Sequence, residues 1–243
     1  YSLLQSVKEL EKNGGLLAVT IRNWFIFFFK ALVIGGVVTG VMALFIRWND
    51  AFAPYMESGE YLEFAASLLW FVFLGMTMSV LSQMGFFAYL TVHQFGVNIF
   101  KTLTLWNWVQ LLIIALVIFD LIKFRFMPLA TTQAQMWLYL GLLAVLVISG
   151  LVVAYFKAKW TKKHAFISAL FFMIVITTLE WLPVLMVDEK DVDRYVTLLL
   201  FPLLAVNAYQ LLKLPKYNAK SDVDRARLEE RRKARAEAAK TKA

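Results

Sequence analysis

Cysteine is absent from this 243-residue chain, and histidine occurs only twice. Without a thiol, the chain has no disulfide, no thiolate metal ligand and no cysteine nucleophile. The motif H-E-x-x-H, the motif G-x-S-x-G and a glycine-rich phosphate loop are also missing. His93 has no second metal-ligand residue at a suitable spacing. The sequence therefore predicts no catalytic residue, no metal site and no cofactor, and it indicates no small-molecule substrate.

Acidic residues are outnumbered by basic ones, 17 against 25, which gives a formal net charge of +8. The basic residues lie between apolar blocks and near the C-terminus, so we expect no nucleic-acid partner. Apolar residues make up 60% of the chain, whereas soluble domains have about 45–50%. Because the excess is concentrated in blocks, the composition is typical of a membrane protein.

Six apolar blocks are long enough to cross the hydrocarbon core of a bilayer as helices, for which about 20 residues suffice. We therefore expect an all-α membrane protein with a six-transmembrane-helix bundle. The predicted spans are residues 24–46, 64–92, 105–124, 136–156, 165–187 and 195–212. They form a membrane domain over residues 24–213, flanked by an N-terminal cytoplasmic segment (1–23) and a basic, helical cytoplasmic tail (214–243).

The connector between the fourth and fifth blocks contains four lysines, which we call the lysine loop. These are Lys157, Lys159, Lys162 and Lys163. Basic residues in short loops stay on the cytoplasmic side of a membrane. With this loop and both termini inside, the cytoplasmic segments hold about 20 of the 25 basic residues, which predicts that orientation. The lysine loop either determines topology alone or also contacts a partner or lipid.

Asp120 and Lys123 fall at the end of the third predicted span, where they can face each other on one helix. Two further charged residues lie deeper inside a predicted span, Lys30 in the first and Glu180 in the fifth. Charged groups are expensive in lipid, so both are candidate functional residues. Lys30 lies about a turn and a half inside its span. It either extends to the cytoplasmic surface or has a buried partner. Glu180 either lines a water-filled cavity or pairs with a basic group on another helix, or it lies at headgroup level beside Trp181.

Gly36 and Gly40 form a G-x-x-x-G motif in the first block. Such spacing lets helix backbones approach closely, either within the same bundle or at a dimer seam. In the tail, Ser221 and Asp224 resemble the start of a separate helix. That helix carries no continuous apolar stripe, so we expect it to be solvated near anionic headgroups or to dock on a cytoplasmic partner.

Six strings of residues are more specific than these general motifs. They are T-I-R-N-W (Thr20–Trp24), S-Q-M-G-F-F-A-Y-L-T (Ser82–Thr91), F-D-L-I-K-F-R-F (Phe119–Phe126), V-A-Y-F-K-A-K (Val153–Lys159), A-F-I-S-A-L-F-F-M-I-V-I-T-T-L-E-W-L-P (Ala165–Pro183) and N-A-Y-Q-L-L (Asn207–Leu212). In them the chain resembles the KbaA family, the KinB-signalling pathway activation proteins of spore-forming Bacillus relatives. The likeness covers roughly residues 20–215, and the segments on either side depart from it.

The resemblance implies a multi-pass protein of the cytoplasmic membrane of a Gram-positive bacterium, without enzymatic activity of its own. It implies activation of the membrane sensor histidine kinase KinB, which feeds the sporulation phosphorelay. The implied partners are that kinase and membrane lipids. Small-residue helix faces would pack against the kinase, and the lysine loop and basic tail would meet acidic cytoplasmic surface.

A transporter of a small molecule or an ion, using Glu180 and Lys30, is the alternative function. Transporters usually carry internal repeats or matched broken helices. Residues 24–124 and 136–213 show no convincing repeat, which weakens this alternative. A lipid-handling membrane enzyme is a third possibility, but the sequence holds no recognisable nucleophile or metal set for it.

Overall fold

The structure, a computed structural model, describes residues 21–186 and 192–241, and the regular structure within them is helical. Six helices in this part of the chain are long and apolar enough to cross a membrane. They are α1 (Ile21–Ile46), α2 (Tyr61–Phe100), α3 (Leu103–Leu129), α4 (Gln133–Trp160), α5 (Ala165–Leu185) and α6 (Val192–Thr241). The predicted all-α fold is confirmed, and it contains six helices that are candidates for crossing a membrane by length and composition.

Several helices depart locally from α-helical geometry. Helix α3 contains a π-helical segment at Leu121–Phe126, and α5 contains one at Phe172–Ile176. A π-helical turn at Trp48–Phe52 and a short helix at Ala53–Ser58 connect α1 to α2. The short helix ends at Gly59, whose φ of 78° is a left-handed conformation that glycine adopts without steric cost.

Side-chain caps explain where two of the long helices begin. The backbone N–H of Leu105 donates to Thr102 Oγ1 (3.3 Å) ahead of α3. At the start of α4, Gln135 N–H donates to Thr132 Oγ1 (3.2 Å), and Gln135 Oε1 accepts from the backbone N–H of Thr132 (3.1 Å). This reciprocal capping box satisfies donors that the first helical turn leaves unpaired.

The chain divides into two compact units. The larger, which we call the helical core, comprises residues 31–212, and the smaller, the terminal unit, comprises residues 1–30 and 213–243. The described part of the terminal unit contains the first turns of α1 and the C-terminal part of α6.

Helix α5 is the most enclosed helix of the core. Of its most apolar stretch, 72% is buried, against 22% for α2 and α3 and 33% for α4. Trp181 is fully buried on α5 and donates from Nε1 to the carbonyl oxygen of Val196 (2.9 Å). Its ring meets Phe126 edge-on, and Phe126 stacks on Tyr139. These aromatic contacts join α5 to its neighbours α3, α4 and α6.

Helices α1 and α2 approach each other closely at small residues. A Cβ placed on Gly35 would collide with Ser79 and with the carbonyl oxygen of Gly75. The hydroxyl of Ser79 donates to the carbonyl oxygen of Ala31 (3.1 Å). Small residues therefore allow backbone contact here, as they do in membrane helix pairs generally.

Ion pairs link the connector after α1 to the start of α6. Asp50 accepts from Arg47 Nη2 (2.5 Å) and from Arg194 Nη1 (2.9 Å). The guanidinium carbon of Arg47 lies 4.8 Å from the ring centre of Tyr195, within cation–π distance. On the same turn of α6, Asp193 accepts from Gln135 Nε2 (2.8 Å).

Helix α6 corrects one expectation from the sequence. It runs without a break from Val192 to Thr241, so no separate helix begins at Ser221. The side chain of Ser221 is fully buried and accepts from Asn23 Nδ2 (3.0 Å) instead of capping a helix. A tertiary partner has replaced the local hydrogen bond that the capping-box pattern predicted.

Candidate functional site

Polar residues of three helices meet inside the apolar core around Glu180. Each helix presents two positions three residues apart, and residues with this spacing share one helix face. The positions are Ser82 and Gly85 on α2, Thr177 and Glu180 on α5, and Asn207 and Gln210 on α6. We call the five polar side chains among them, those other than Gly85, the Glu180 cluster.

Asn207 lies at the centre of the Glu180 cluster. Its Nδ2 donates to Glu180 Oε2 (2.6 Å) and to Thr177 Oγ1 (2.9 Å). Its Oδ1 accepts from Ser82 Oγ (2.8 Å), and the same hydroxyl oxygen accepts from Gln210 Nε2 (2.8 Å). One asparagine thus uses both of its amide donors and its acceptor to connect three helices.

The Glu180 cluster is closed. Glu180 is 4% exposed, and the other four side chains are fully buried. Glu180 Oε1 faces Gly85, and a Cβ at that position would collide with it. Within the described part of the chain, Glu180 Oε1 and Gln210 Oε1 have no hydrogen-bond partner. The carboxyl is therefore engaged on one side only, and the backbone of α2 covers the other side.

This arrangement can hold three helices in register. Each interhelical hydrogen bond in a membrane protein contributes about 0.6 kcal/mol on average. Over residues 21–186 and 192–241, no group of three His, Asp or Glu side chains is placed to hold a metal ion. The polar groups of the cluster bond to one another rather than lining an open cavity.

The sequence indicated Glu180 as a candidate residue, but it did not indicate the side chain that pairs with it. The structure pairs its carboxyl with the Asn207 amide, a contact that neither interpretation of Glu180 included. One interpretation placed Trp181 at headgroup level. In the structure its side chain is fully buried. The available signal was the repeated three-residue spacing of polar side chains inside the apolar blocks.

The four residues of the lysine loop have different surroundings. Lys157 Nζ donates to the carbonyl oxygen of Leu211 on α6 (2.7 Å). This carbonyl lacks its usual helical partner, because Pro215, four residues later, has no N–H. Lys157 therefore satisfies an acceptor that a proline has freed. Lys159, whose Nζ lies 5.9 Å from the Tyr155 ring centre, and the two later lysines are exposed.

The remaining predicted residues lie on α1. Gly36 and Gly40 face Val72 of α2, which a Cβ at either position would approach to 3.1 and 2.9 Å. Lys30 belongs to the terminal unit and is exposed. Its Nζ lies 6.0 Å from the ring centre of Tyr217.

The fold and the Glu180 cluster define a multi-pass helical membrane protein in which buried polar side chains link three helices. A family model, KbaA, described as KinB-signalling pathway activation in sporulation, matches residues 35–217. The chain is also 41% identical over 196 residues to the KinB-signaling pathway activation protein of Bacillus subtilis (strain 168), covering 80% of this chain and 96% of that protein. The chain therefore belongs to the KbaA family, and the resemblance seen in the sequence is confirmed. No solved structure matches it significantly.

Proposed function

We propose that this protein is a non-enzymatic integral membrane activator of a KinB-like sensor histidine kinase in the sporulation phosphorelay. One observation carries the proposal: the family match spans residues 35–217, nearly the whole helical core. The closed Glu180 cluster supports it, since a membrane enzyme or transporter needs polar groups that a substrate can reach.

The protein lies in the cell membrane with both termini and the lysine loop in the cytoplasm. The distribution of Lys and Arg supports this orientation. The membrane domain comprises residues 24–213, preceded by the cytoplasmic segment 1–23 and followed by the basic tail 214–243. The C-terminal boundary of the membrane domain is supported by Lys213, which is the first of three lysines that follow the apolar part of α6.

Helix α4 is the contact surface for the kinase. Glycine in the middle of a helix costs about 1 kcal/mol relative to alanine, so a central glycine usually has a packing reason. Among residues 21–186 and 192–241, Gly141 has no such reason, because a Cβ there would meet no heavy atom of these residues within 4 Å. Its exposed neighbours on the helix include Trp137 and Ile148. A transmembrane helix of the kinase packs at this position.

The lysine loop extends the same surface into the cytoplasm. Lys157 is occupied by the Leu211 carbonyl. Lys159, Lys162 and Lys163 have no ion pair in the part of the chain that the structure describes, and they are exposed. They contact an acidic cytoplasmic surface of the kinase. A coupling free energy of about 1–3 kcal/mol between the two proteins would shift the kinase between its states.

The test is co-reconstitution of the full chain with a KinB-like kinase in vesicles, with kinase autophosphorylation as the measurement. Gly141→Leu fills the open position and is expected to reduce activation. Ala115→Leu is the matched control, since it enlarges another exposed small residue inside a helix, α3. K159Q/K162Q/K163Q is expected to reduce activation as well, and co-purification from membranes reports whether the kinase remains bound.

All three variants must first be shown to insert with wild-type helical content. Full activation by correctly inserted Gly141→Leu would reject α4 as the contact surface. Failure of the wild-type chain to change kinase activity in any lipid mixture would reject the activator function itself.

A further inference from the structure

The described part of the terminal unit is a pair of helical segments held together by polar and aromatic contacts. Asn23 Nδ2 on α1 donates to Asp224 Oδ2 (2.9 Å) on α6, and Arg22 Nη2 lies 3.1 Å from the same oxygen. One turn further along α1, Phe27 meets Tyr217 edge-on with ring centres 5.1 Å apart. These contacts hold the start of α1 against the C-terminal part of α6, and a cavity lies between the two segments.

Four lysines surround a cavity of about 410 Å³ in the terminal unit. We call it the lysine pocket, and its lining is Ile26, Lys30, Lys213, Lys216, Tyr217 and Lys220. The three lysines of α6 follow the spacing i, i+3, i+7, so they lie on one face of the helix. Lys30 completes the group from α1. The cavity volume falls in the range of small-molecule sites, roughly 300–1,000 Å³.

The positive charge of the lysine pocket is neutralised only in part by the protein itself. None of its four lysines takes part in a salt bridge among the residues that the structure describes, and no acidic side chain lines the cavity. Asp224, one turn beyond Lys220, attracts the Lys220 ammonium group, but its carboxylate is also engaged by Arg22 and Asn23. Four like charges around one cavity repel each other, and an anion inside it would remove that repulsion.

The surroundings favour an anion that carries acyl chains. Ile26, which lines the pocket, is 36% exposed, and Phe25 and Phe29 on the same turns of α1 are 49% and 57% exposed. These large apolar side chains belong to a helix that is apolar enough to cross a membrane. Lysine stems can lie along such a surface while their ammonium groups reach phosphate oxygens. Basic pockets between membrane helices bind anionic headgroups in this way.

We propose that the lysine pocket is a binding site for the phosphate group of an anionic phospholipid. The four ammonium groups contact the phosphate oxygens, and the acyl chains lie along the exposed aromatic side chains of α1. The site is independent of the kinase contact on α4, because it uses other residues.

The test adds phosphatidylglycerol to the purified full chain in a neutral detergent and measures the thermal unfolding midpoint against lipid concentration. Phosphatidylcholine with the same acyl chains tests the need for a net negative headgroup. Glycerol 3-phosphate and inorganic phosphate test whether a free phosphate suffices. A ligand that binds the folded chain raises the midpoint in a concentration-dependent way, which yields an apparent affinity.

The variant K213Q/K216Q/K220Q removes three positive charges from the pocket, and K159Q/K162Q/K163Q removes three from the lysine loop. Each lysine near an anionic headgroup contributes roughly fivefold to affinity, so the pocket variant is expected to lose on the order of 100-fold. The loop variant is expected to keep the wild-type affinity. K213R/K216R/K220R retains the charges and is expected to retain binding. All three variants alter exposed side chains, and circular dichroism verifies that their helices form.

If the pocket and loop variants lost the same amount of affinity for phosphatidylglycerol, the site would be overturned, because the loss would reflect net charge alone. So would an equal response to phosphatidylglycerol and phosphatidylcholine. A midpoint shift by glycerol 3-phosphate or inorganic phosphate that matches the lipid at equal concentration would overturn the assignment to a phospholipid. If the lipid raises the midpoint and the controls behave as expected, the lipid site is supported even if the kinase test fails.

Discussion

The Glu180 cluster and the lysine pocket place polar side chains in a largely apolar chain in two opposite ways. In the cluster, five buried side chains on three helices bond to one another. In the pocket, four exposed lysines on two helices surround a cavity without an ion pair in the described residues. A closed polar group stabilises the protein that contains it, whereas an open one leaves its interactions to a ligand.

The largest expected effect comes from breaking the centre of the cluster. Asn207→Leu removes three side-chain hydrogen bonds and leaves the buried Glu180 carboxyl without its partner. We expect the free energy of unfolding to fall by about 2–4 kcal/mol. Denaturant unfolding in micelles, followed by tryptophan fluorescence, measures the change. Asn98→Leu, at an exposed position of α2, is the control and should change stability by less than about 0.5 kcal/mol. Equal stability of the two variants would contradict the role given to Asn207.

A smaller loss is expected where the cluster meets a backbone. Gly85→Ala adds a methyl group that collides with Glu180 Oε1, so the free energy of unfolding should fall by about 1–3 kcal/mol. At Gly141 the same change meets no atom of the described residues within 4 Å. The higher helix propensity of alanine should therefore stabilise the chain by up to about 1 kcal/mol. The same unfolding experiment compares the two. If Gly141→Ala destabilised the protein and Gly85→Ala did not, the contacts described at both glycines would be contradicted.

Lys157 differs from the lysines of the pocket, because its ammonium group has a partner inside the protein. Lys157→Met leaves the carbonyl oxygen of Leu211 without a donor and should reduce the unfolding free energy by about 1–2 kcal/mol. Lys159→Met, at an exposed neighbouring position, should have almost no effect on stability. Hydrogen exchange at α6 amides around Leu211 should rise in the first variant only. Unchanged exchange there would argue against the contact.

The smallest effect on stability is expected from Glu180→Gln. The glutamine oxygen can still accept from Asn207 Nδ2, and the side-chain volume is retained, so the unfolding free energy should change by about 1 kcal/mol or less. Kinase activation should persist in the co-reconstituted vesicles. A transporter that works through this carboxyl would instead lose uptake, and loss of a measurable solute flux in Glu180→Gln would favour that alternative.

Much of the fold could be predicted because hydropathy is a local property of the chain. Six apolar blocks of sufficient length require six helices, since a backbone in lipid must satisfy its hydrogen bonds within each segment. The polar turn at Thr132 and Gln135 lies between two of these blocks, and it contains the capping box that begins α4.

The partners of individual side chains could not be predicted in the same way. Pro215 implies that the carbonyl of Leu211 needs another donor, but nothing in the sequence shows that Lys157, 54 residues earlier, supplies it. Ser221 resembles a helix cap locally, yet Asn23 lies close enough to take its hydroxyl as an acceptor. Glu180 and Asn207 are 27 residues apart, and their contact depends on which helix faces meet.

Apolar length predicted an all-helical membrane protein with six spans, and the characteristic strings of the sequence indicated its family. The folded chain shows in addition that α5 is the enclosed helix, that the Glu180 carboxyl bonds to an amide, and that four lysines share one cavity. The reason is physical: apolar length specifies a membrane helix whatever its neighbours are. The apolar faces of such helices are chemically alike, so the contacts between them depend on shape and on a few buried polar groups.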